Sequence, residues 1–393
     1  MIELDNVNVV FGKNPQQALP MIEQGLDREA IRDRTGLVVG VQGASLAVKK
    51  GEICVLMGLS GSGKSSLLRC INGLNTVTSG TIRIQHDGEQ VDFTQASEKV
   101  QRDIRTRRVS MVFQSFALMP WLTVEENVGF GLELQGLGKS ERRRKVARQL
   151  ELVGLQDWGK RRPNELSGGM RQRVGLARAL ATESEILLMD EPFSALDPLI
   201  RHQLQDELLT LQEELQKTIV FVSHDLDEAL KLGSHIAIMK DGQIVQHGKP
   251  EAIVLQPAND YVKSFVASTN PLNVLAARSL ALPIDQIPED TAGNRCLNKR
   301  YDTWLHTPDI ADKAVVTSAG HTYQTQVWSA GQAIEALAKQ PTRIAPETPL
   351  RDAVEIRYFT GHSLLVEDRG RIIGAIGDRE LYHAMLGKHL DDS

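Results

Sequence analysis

Apolar positions along the chain follow two patterns. Ile2 to Phe11 and Gly40 to Val48 alternate as half-buried strands do. ICVLM (Ile53 to Met57), ILLMD (Ile186 to Asp190) and TIVFVSHD (Thr218 to Asp225) are apolar runs ended by polar residues. Runs of that length suit parallel strands covered on both faces. ICVLM leads into a glycine turn and a predicted helix over Ser65 to Asn72. Strands alternating with helices predict an α/β sheet, with chemistry at the carboxyl ends of its strands. Between the first two strands, Met21, Ile22, Leu26 and Ile31 have helical spacing, predicting an amphipathic insertion over about residues 13–39. The charged text from Thr123 to Leu166 predicts a helical subdomain, about residues 115–180, set into the α/β core. IAIMKDGQIVQHG reads as a hairpin around Asp241-Gly242.

The texture changes after Asn270. Pro271, Pro283 and Pro288, then the polar PEDTAGN, suggest a linker over residues 270–299 between a domain of residues 1–269 and one of residues 300–393. The second domain reads as a small α/β unit. TPLRDAVEI is its first helix, HSLLVEDRGRIIGAI its hairpin and DRELYHAML its last helix.

Composition narrows the class. The 393 residues carry 45 Lys and Arg against 50 Asp and Glu, a net charge of -5, which argues against a nucleic-acid partner. KSERRRKVARQ, Lys139 to Gln149, is a local exception. It reads as a solvated helix face, with contact to phosphates or lipid headgroups as the alternative. Cys54, Cys70 and Cys296 are far apart and lack metal-ligand spacing, as expected in a reducing compartment. The acidic start MIELDNVNVVFGKN does not fit a signal peptide, and no stretch approaches the roughly 18–20 apolar residues of a membrane span. A soluble chain, or one held at a membrane by a partner, is expected.

Candidate chemistry begins at GLSGSGKS, which fits G-x-x-x-x-G-K-[ST] between a buried strand and a helix. Backbone N–H groups of Gly58, Leu59, Ser60, Gly61, Ser62, Gly63 and the adjoining Lys64, Ser65 and Ser66 would surround phosphates. Lys64 would reach the β- and γ-phosphates of ATP, and Ser65 would ligate Mg²⁺. Asp190 ends a neighbouring apolar run and would hold the metal, through water. Glu191, next along, is placed to polarise an attacking water. Gln114, after VSMVF, could reach Mg²⁺ or that water, and His224, after IVFVS, could bond the γ-phosphate.

A second glycine turn occurs in LSGGM. Ser167 is a natural N-cap, and Gly168 and Gly169 permit close backbone approach. No acid occupies the first helical turn, so its N–H groups are free for an external anion. Two such turns serve one nucleotide economically if two copies of the chain pair head to tail and share each ATP.

GLSGSGKS, Gln114, LSGGMRQR, ILLMDE, SALD and His224, in this order, resemble the ATP-binding subunit of an ABC transporter over residues 1 to about 250. The resemblance implies a P-loop NTPase of ABC type, with an antiparallel β subdomain and an inserted helical subdomain. It implies that Ser167 and Gly169 meet the partner's γ-phosphate, that Asp197 of SALD links the two sites, and that Phe11 of VVFG stacks on adenine. The insertion, MVFQSFALMPWLTVEENVGFGLEL, SALDPLIR and SHDLDEAL look like the glycine betaine/proline/choline branch of bacterial importers. That likeness implies an ATP-hydrolysing subunit at the cytoplasmic face of the inner membrane. Its partners would be a second copy, a transmembrane permease and, indirectly, a periplasmic or extracellular substrate-binding protein. Glycine betaine, choline, carnitine or proline betaine would be the solute. An importer ATPase for a polyamine or amino acid is the alternative, and a soluble non-transport ABC ATPase a more distant one.

FALMPWLTV, Phe116 to Val124, could receive a short helix of the permease, with Leu118 and Trp121 as contacts, or could simply pack within the helical subdomain. The stretch from TPLRDAVEI to DREL looks like one CBS module, and residues 300–345 occupy the place of a degenerate second one. That resemblance implies a regulatory or dimerisation role. Gly377 and Glu380 stand where the nucleotide-facing pattern has Thr and Asp.

Overall fold

A computed structural model describes residues 1–385 apart from residues 195, 268, 269, 271, 273 and 307–309; the side chains of Leu211, Leu215, Ala384 and Met385 are also outside the description. Pro271 of the expected linker, Ala195 of SALD and Leu386 of the expected last helix thus lie outside the described residues. The chain divides into two compact units, Met1–Ile253 and Val254–Ser393.

Ten strands build the first unit: β1 (Ile2–Phe11), β2 (Val38–Val48), β3 (Ile53–Met57), β4 (Ser79–His86), β5 (Glu89–Asp92), β6 (Val109–Val112), β7 (Ile186–Asp190), β8 (Thr218–Val222), β9 (His235–Lys240) and β10 (Gln243–Gly248). They form an antiparallel sheet ordered β2-β1-β4-β5 and a second ordered β10-β9-β3-β8-β7-β6. In the second, β9, β3, β8, β7 and β6 run parallel and β10 turns back along β9. β3, β7 and β8 are buried at every residue, which is why their sequences do not alternate. Ile2, Leu4 and Val7 of one sheet share a core with Cys54, Leu56, Leu188 and Val220 of the other. Burial pushes the thiols of Cys54 and Cys70 up to about 12.

The helices of this unit that matter here are α1 (Leu19–Glu23), α2 (Arg28–Thr35), α3 (Lys64–Ile71), α4 (Glu98–Asp103), α5 (Val124–Leu134), α6 (Lys139–Leu152), α7 (Gly168–Ala181), α8 (Pro198–Leu215) and α9 (Leu226–Leu232). α1 and α2 lie in the insertion. Ala18 and Ile31 are buried with Val10, Leu37 and Val39, and the predicted Met21, Ile22 and Leu26 pack on them. α5, α6 and α7 share a separate core that includes Val124, Val128, Leu150 and Val174. A capping box of Thr123 and Glu126 starts α5. α6 carries the basic run, turning Val146 and Leu150 inward. Two of its cations are paired, Arg142 with Glu133 at 3.0 Å and Lys145 with Glu183 at 2.7 Å.

The second unit differs from its sequence reading in two places. Leu275, Ala277 and Leu280 are in its core, and Leu282–Pro283 pairs with Ala375 and Gly374, so the expected linker is largely built structure. Its Pro283 is tolerated because it sits on an edge strand. Residues 295–324 form an antiparallel sheet of Arg295–Asn298, Thr303–His306, Val315–Ser318 and His321–Gln324. Among the described residues this meander holds one 3-10 turn, Ala311–Lys313, and no α-helix, so it departs from the small α/β unit read for this region. Its short strands lack the long apolar runs that would have revealed them. The final segment keeps the expected order: strand Thr342–Ile344, helix Leu350–Thr360, strands Leu364–Asp368 and Arg371–Ile376, helix Asp378–Met385.

Candidate functional site

Sheet order delivers the candidate groups to one place. β8, β7 and β6 are adjacent and parallel, so His224, Glu191 and Gln114 leave three neighbouring carboxyl ends. Gln114 Nε2 donates to Glu191 Oε2 at 3.0 Å, and His224 Nδ1 lies 3.7 Å from the same oxygen. Glu191 is held in the left-handed region, φ 48°, its N–H donating to the Val222 carbonyl at 3.2 Å. A non-glycine residue there is under backbone strain, a feature that concentrates at functional sites.

The glycine turn after β3 is shaped by close packing. A Cβ on Gly58 would lie 2.2 Å from the Met239 carbonyl oxygen, and one on Gly63 would lie 2.3 Å from that of Gly40. Both have φ above +100°. Lys64 is buried and donates to the carbonyls of Gly58 at 2.7 Å and Leu59 at 3.0 Å. Burial lowers its ammonium pKa from the ordinary value, while the Glu191 and Asp190 carboxylates push it back up. Ser65 donates its hydroxyl to Asp190 Oδ1 at 2.7 Å, and Arg69 donates to Asp190 Oδ2 at 2.8 Å. Asp190 is therefore fully buried with both oxygens paired. Arg69 escaped the sequence reading, although its position four residues after Ser65 on α3 places it on the same helix face.

Phe11 reaches this region despite the insertion. Its ring lies on Gly40, where a Cβ would approach it to 2.5 Å, and the Gly40 carbonyl abuts Gly63. Ser167 caps α7 by accepting from the Met170 N–H at 3.3 Å. Gly169 packs toward Leu196, but a Cβ on Gly168 would meet nothing within 4 Å. Nothing in the packing of the described residues requires a glycine at 168. Asp197 caps α8, accepting from the Ile200 N–H at 3.1 Å. Ser65 with Asp190, and Gln114 and His224 with Glu191, thus form two groups at neighbouring strand ends, Lys64 feels the charge of both acids, and Ser167–Gly169 head a different element.

Two anchors join α7 to this site. Gln172 donates to the Pro192 carbonyl, beside Glu191. Arg178 donates to the carbonyls of Ala117 at 2.6 Å and Phe116 at 3.0 Å, and Arg171 stacks over the Phe116 ring at 5.7 Å. Phe116 and Ala117 both have positive φ, 64° and 45°, immediately after Gln114 and Ser115. A groove of about 440 Å³ opens beside this turn, lined in part by Leu74, Phe113, Met119, Phe130 and Leu134. Trp121 is 69% exposed, whereas Leu118 packs on the core of the helical subdomain. Leu118 is half-buried, so it serves the packing alternative while part of its surface stays open.

Comparison with known proteins agrees with this geometry. Residues 41–194 match the family described as ABC transporter. The glycine betaine/proline betaine transport system ATP-binding protein ProV of Escherichia coli strain K12 is 52% identical over 280 residues, 71% of this chain and 69% of that protein. The glycine betaine/carnitine transport ATP-binding protein GbuA of Listeria monocytogenes is 46% identical over 299 residues, 76% of this chain and 74% of that one. A dimeric structure of the ATP-binding cassette MJ0796, bound to ADP and Pi, superposes with a TM-score of 0.54 at 32% identity, covering 63% of this chain and 98% of that one. The chain thus belongs to the ATP-hydrolysing, ATP-binding subunits of ABC transporters.

Proposed function

We propose that two copies of this chain close head to tail on two Mg-ATP and drive a permease that imports a quaternary ammonium solute. The observation that carries the mechanism is the convergence of Gln114 and His224 on one oxygen of Glu191. Glu191 accepts the proton of a water as its oxygen bonds the γ-phosphorus and the bond to the β-bridging oxygen breaks, giving ADP and phosphate. Gln114 and His224 orient that carboxylate and the water. Lys64 and the N–H groups of Gly58–Ser66 receive the phosphates. Ser167, Gly168 and Gly169 of the other copy receive the γ-phosphate, where the empty space beside Gly168 admits it. Phe11 stacks on adenine, and Asp197, exposed at the head of α8, carries the contact between sites.

Mg²⁺ fits the donors present. Ser65, Asp190 and Gln114 offer oxygens alone, as a hard cation prefers. Among the described residues no three His, Cys, Asp or Glu cluster to hold a metal. Nucleotide oxygens and water would complete the shell, with Asp190 acting through water. When bound, the ion supplies charge neutralisation for the phosphates.

The choice of solute rests on ProV and GbuA, whose names give betaines and carnitine. No described helix is long and apolar enough to cross a membrane. A place on the cytoplasmic face, docked to the permease through the groove beside Met119, accords with that. A substrate-binding protein on the other face would select the solute. The test is uptake by vesicles holding the chain with its permease. Glycine betaine, choline or carnitine should be accumulated in an ATP-dependent way, and accumulation of a polyamine or amino acid alone would refute the solute.

The strand–helix–strand–strand–helix segment at the C-terminus is proposed as a CBS-like regulatory or dimerisation lobe. Glu380 is committed to its own turn, accepting from the Gly377 N–H at 2.8 Å, and Asp378 pairs with Arg357 at 2.9 Å. Those commitments favour a role without bound nucleotide. Removing residues 254–393 and following uptake against salt separates the two roles: a sensor's loss abolishes the salt response at unchanged ATPase rate.

A further inference from the structure

The insertion does more than fill space between β1 and β2. Arg28 is the first residue of α2, which Asp27 caps by accepting from the Ala30 N–H at 2.7 Å. From this fixed start Arg28 donates twice: Nε to the Val39 carbonyl at 2.6 Å and Nη1 to the Gly61 carbonyl at 3.0 Å. Gly61 is the middle glycine of the phosphate loop, with φ 80°. One guanidinium therefore ties the loop that receives phosphates to the strand that runs on to Gly40, under the Phe11 ring.

Three further carbonyls of this loop are held by residues outside the insertion. Lys64 takes those of Gly58 and Leu59, and the Gly242 N–H takes that of Ser62 at 2.9 Å. The Gly61–Ser62 peptide is planar and trans, so its N–H points opposite to the carbonyl that Arg28 holds. That N–H donates to the Leu59 carbonyl at 3.1 Å and closes the turn. Gly61 itself meets no neighbour where a Cβ would stand. Packing alone does not hold this peptide.

We propose that Arg28 is a positioning residue of the ATP site, and that the insertion braces the phosphate loop in the curvature that receives nucleotide. ATP affinity should then depend on Arg28, while the chemical step, run by Glu191, should not. The inference rests on ATP binding at Gly58–Ser65. Arg28 reaches its two carbonyls through separate nitrogens of a rigid planar fork, whereas a lysine would offer one nitrogen on a flexible stem.

The test uses the full chain with a fluorescent ATP analogue and Mg²⁺, and steady-state ATPase assays. Losing one or both hydrogen bonds should raise Kd and KM for Arg28→Ala about threefold to tenfold. kcat should stay within about twofold of wild type. Arg28→Lys should bind as weakly as Arg28→Ala. Unchanged affinity in Arg28→Ala overturns the proposal, and so does a fall in kcat at unchanged KM. Full rescue by Arg28→Lys also overturns it, since charge alone would then suffice. Arg28→Lys carries the test by itself should the alanine variant fail to fold. Lys64→Ala is the control: if it binds nucleotide as wild type does, the phosphate loop is not the site. If it loses binding while Arg28→Ala does not, only the brace is wrong.

Discussion

Glu191 combines backbone strain with two polar neighbours, and this sets what a single substitution there should do. Glu191→Gln keeps the shape and removes the base. It should hydrolyse ATP at least about a hundredfold more slowly and accumulate as an ATP-bound dimer, visible by size-exclusion chromatography with light scattering. The His224 turn has its own support, invisible in the apolar pattern. Glu228 is buried, accepts from Gln205 at 3.0 Å and from Ser223, and burial raises its carboxyl pKa from the ordinary value. A carboxyl with a folded value above its unfolded one, near 4.3, contributes stability below that value and loses it as pH rises through the folded value. Glu228→Gln stays neutral throughout. Its urea midpoint should match wild type at about pH 4, exceed it increasingly as pH rises toward the folded value, and level off above that. Asp190, Glu191 and Lys64 were legible because each ends or adjoins a patterned run. Arg69, Arg28 and Glu228 were not, since the partners that define them arrive through the fold.

Among elements, α7 carries the most relationships. Its first turn presents the serine-glycine N-terminus, its second reaches Pro192 through Gln172, and its last holds the Phe116–Ala117 turn through Arg178. Two consecutive left-handed, non-glycine residues cost of order 1–3 kcal/mol each. The Arg178 guanidinium, desolvated enough to lower its pKa, offsets part of that cost. Arg178→Ala leaves two strained carbonyls without their donor and should destabilise the chain by about 1–3 kcal/mol in urea titration. It should also lower kcat more than ATP affinity, because Gln114 loses its fixed approach to Glu191. The strands of the large sheet were evident from their unbroken apolar runs, and α7 from its cap. The turn it holds was hidden, because Phe and Ala give no sign of positive φ.

For the whole molecule, the question is which surfaces a solitary chain leaves unused. The cassette is self-contained: its two sheets share a core, and MJ0796 has the same architecture in a chain matched along 98% of its length. The strands of the cassette were readable from their patterns, but the end of the unit was not: the composition change suggests residue 269, whereas the first compact unit ends at Ile253. The meander of residues 295–324 was not readable either, because strands of four residues carry too few positions to show a period. Head-to-tail pairing makes a specific demand of mixtures. Lys64→Ala removes a chain's phosphate loop, and Gly168→Asp puts a negative charge before its serine-glycine turn. Each variant alone should be inactive in ATPase assays. Mixed, they should regain activity, since a pair of unlike chains keeps one complete site; no recovery would refute the shared site.

The open space in front of Gly168 also has a consequence for a cell carrying two alleles. The first carbon of an aspartate there meets no described atom and its charge suits the positive end of α7, so the altered polypeptide should fold, persist and still grip nucleotide in its own loop. Joined to a normal chain it would spoil one of the two shared sites and leave the other complete, so such a pair should work like the rescued mixture, whereas a chain that merely fails to fold would never enter a pair.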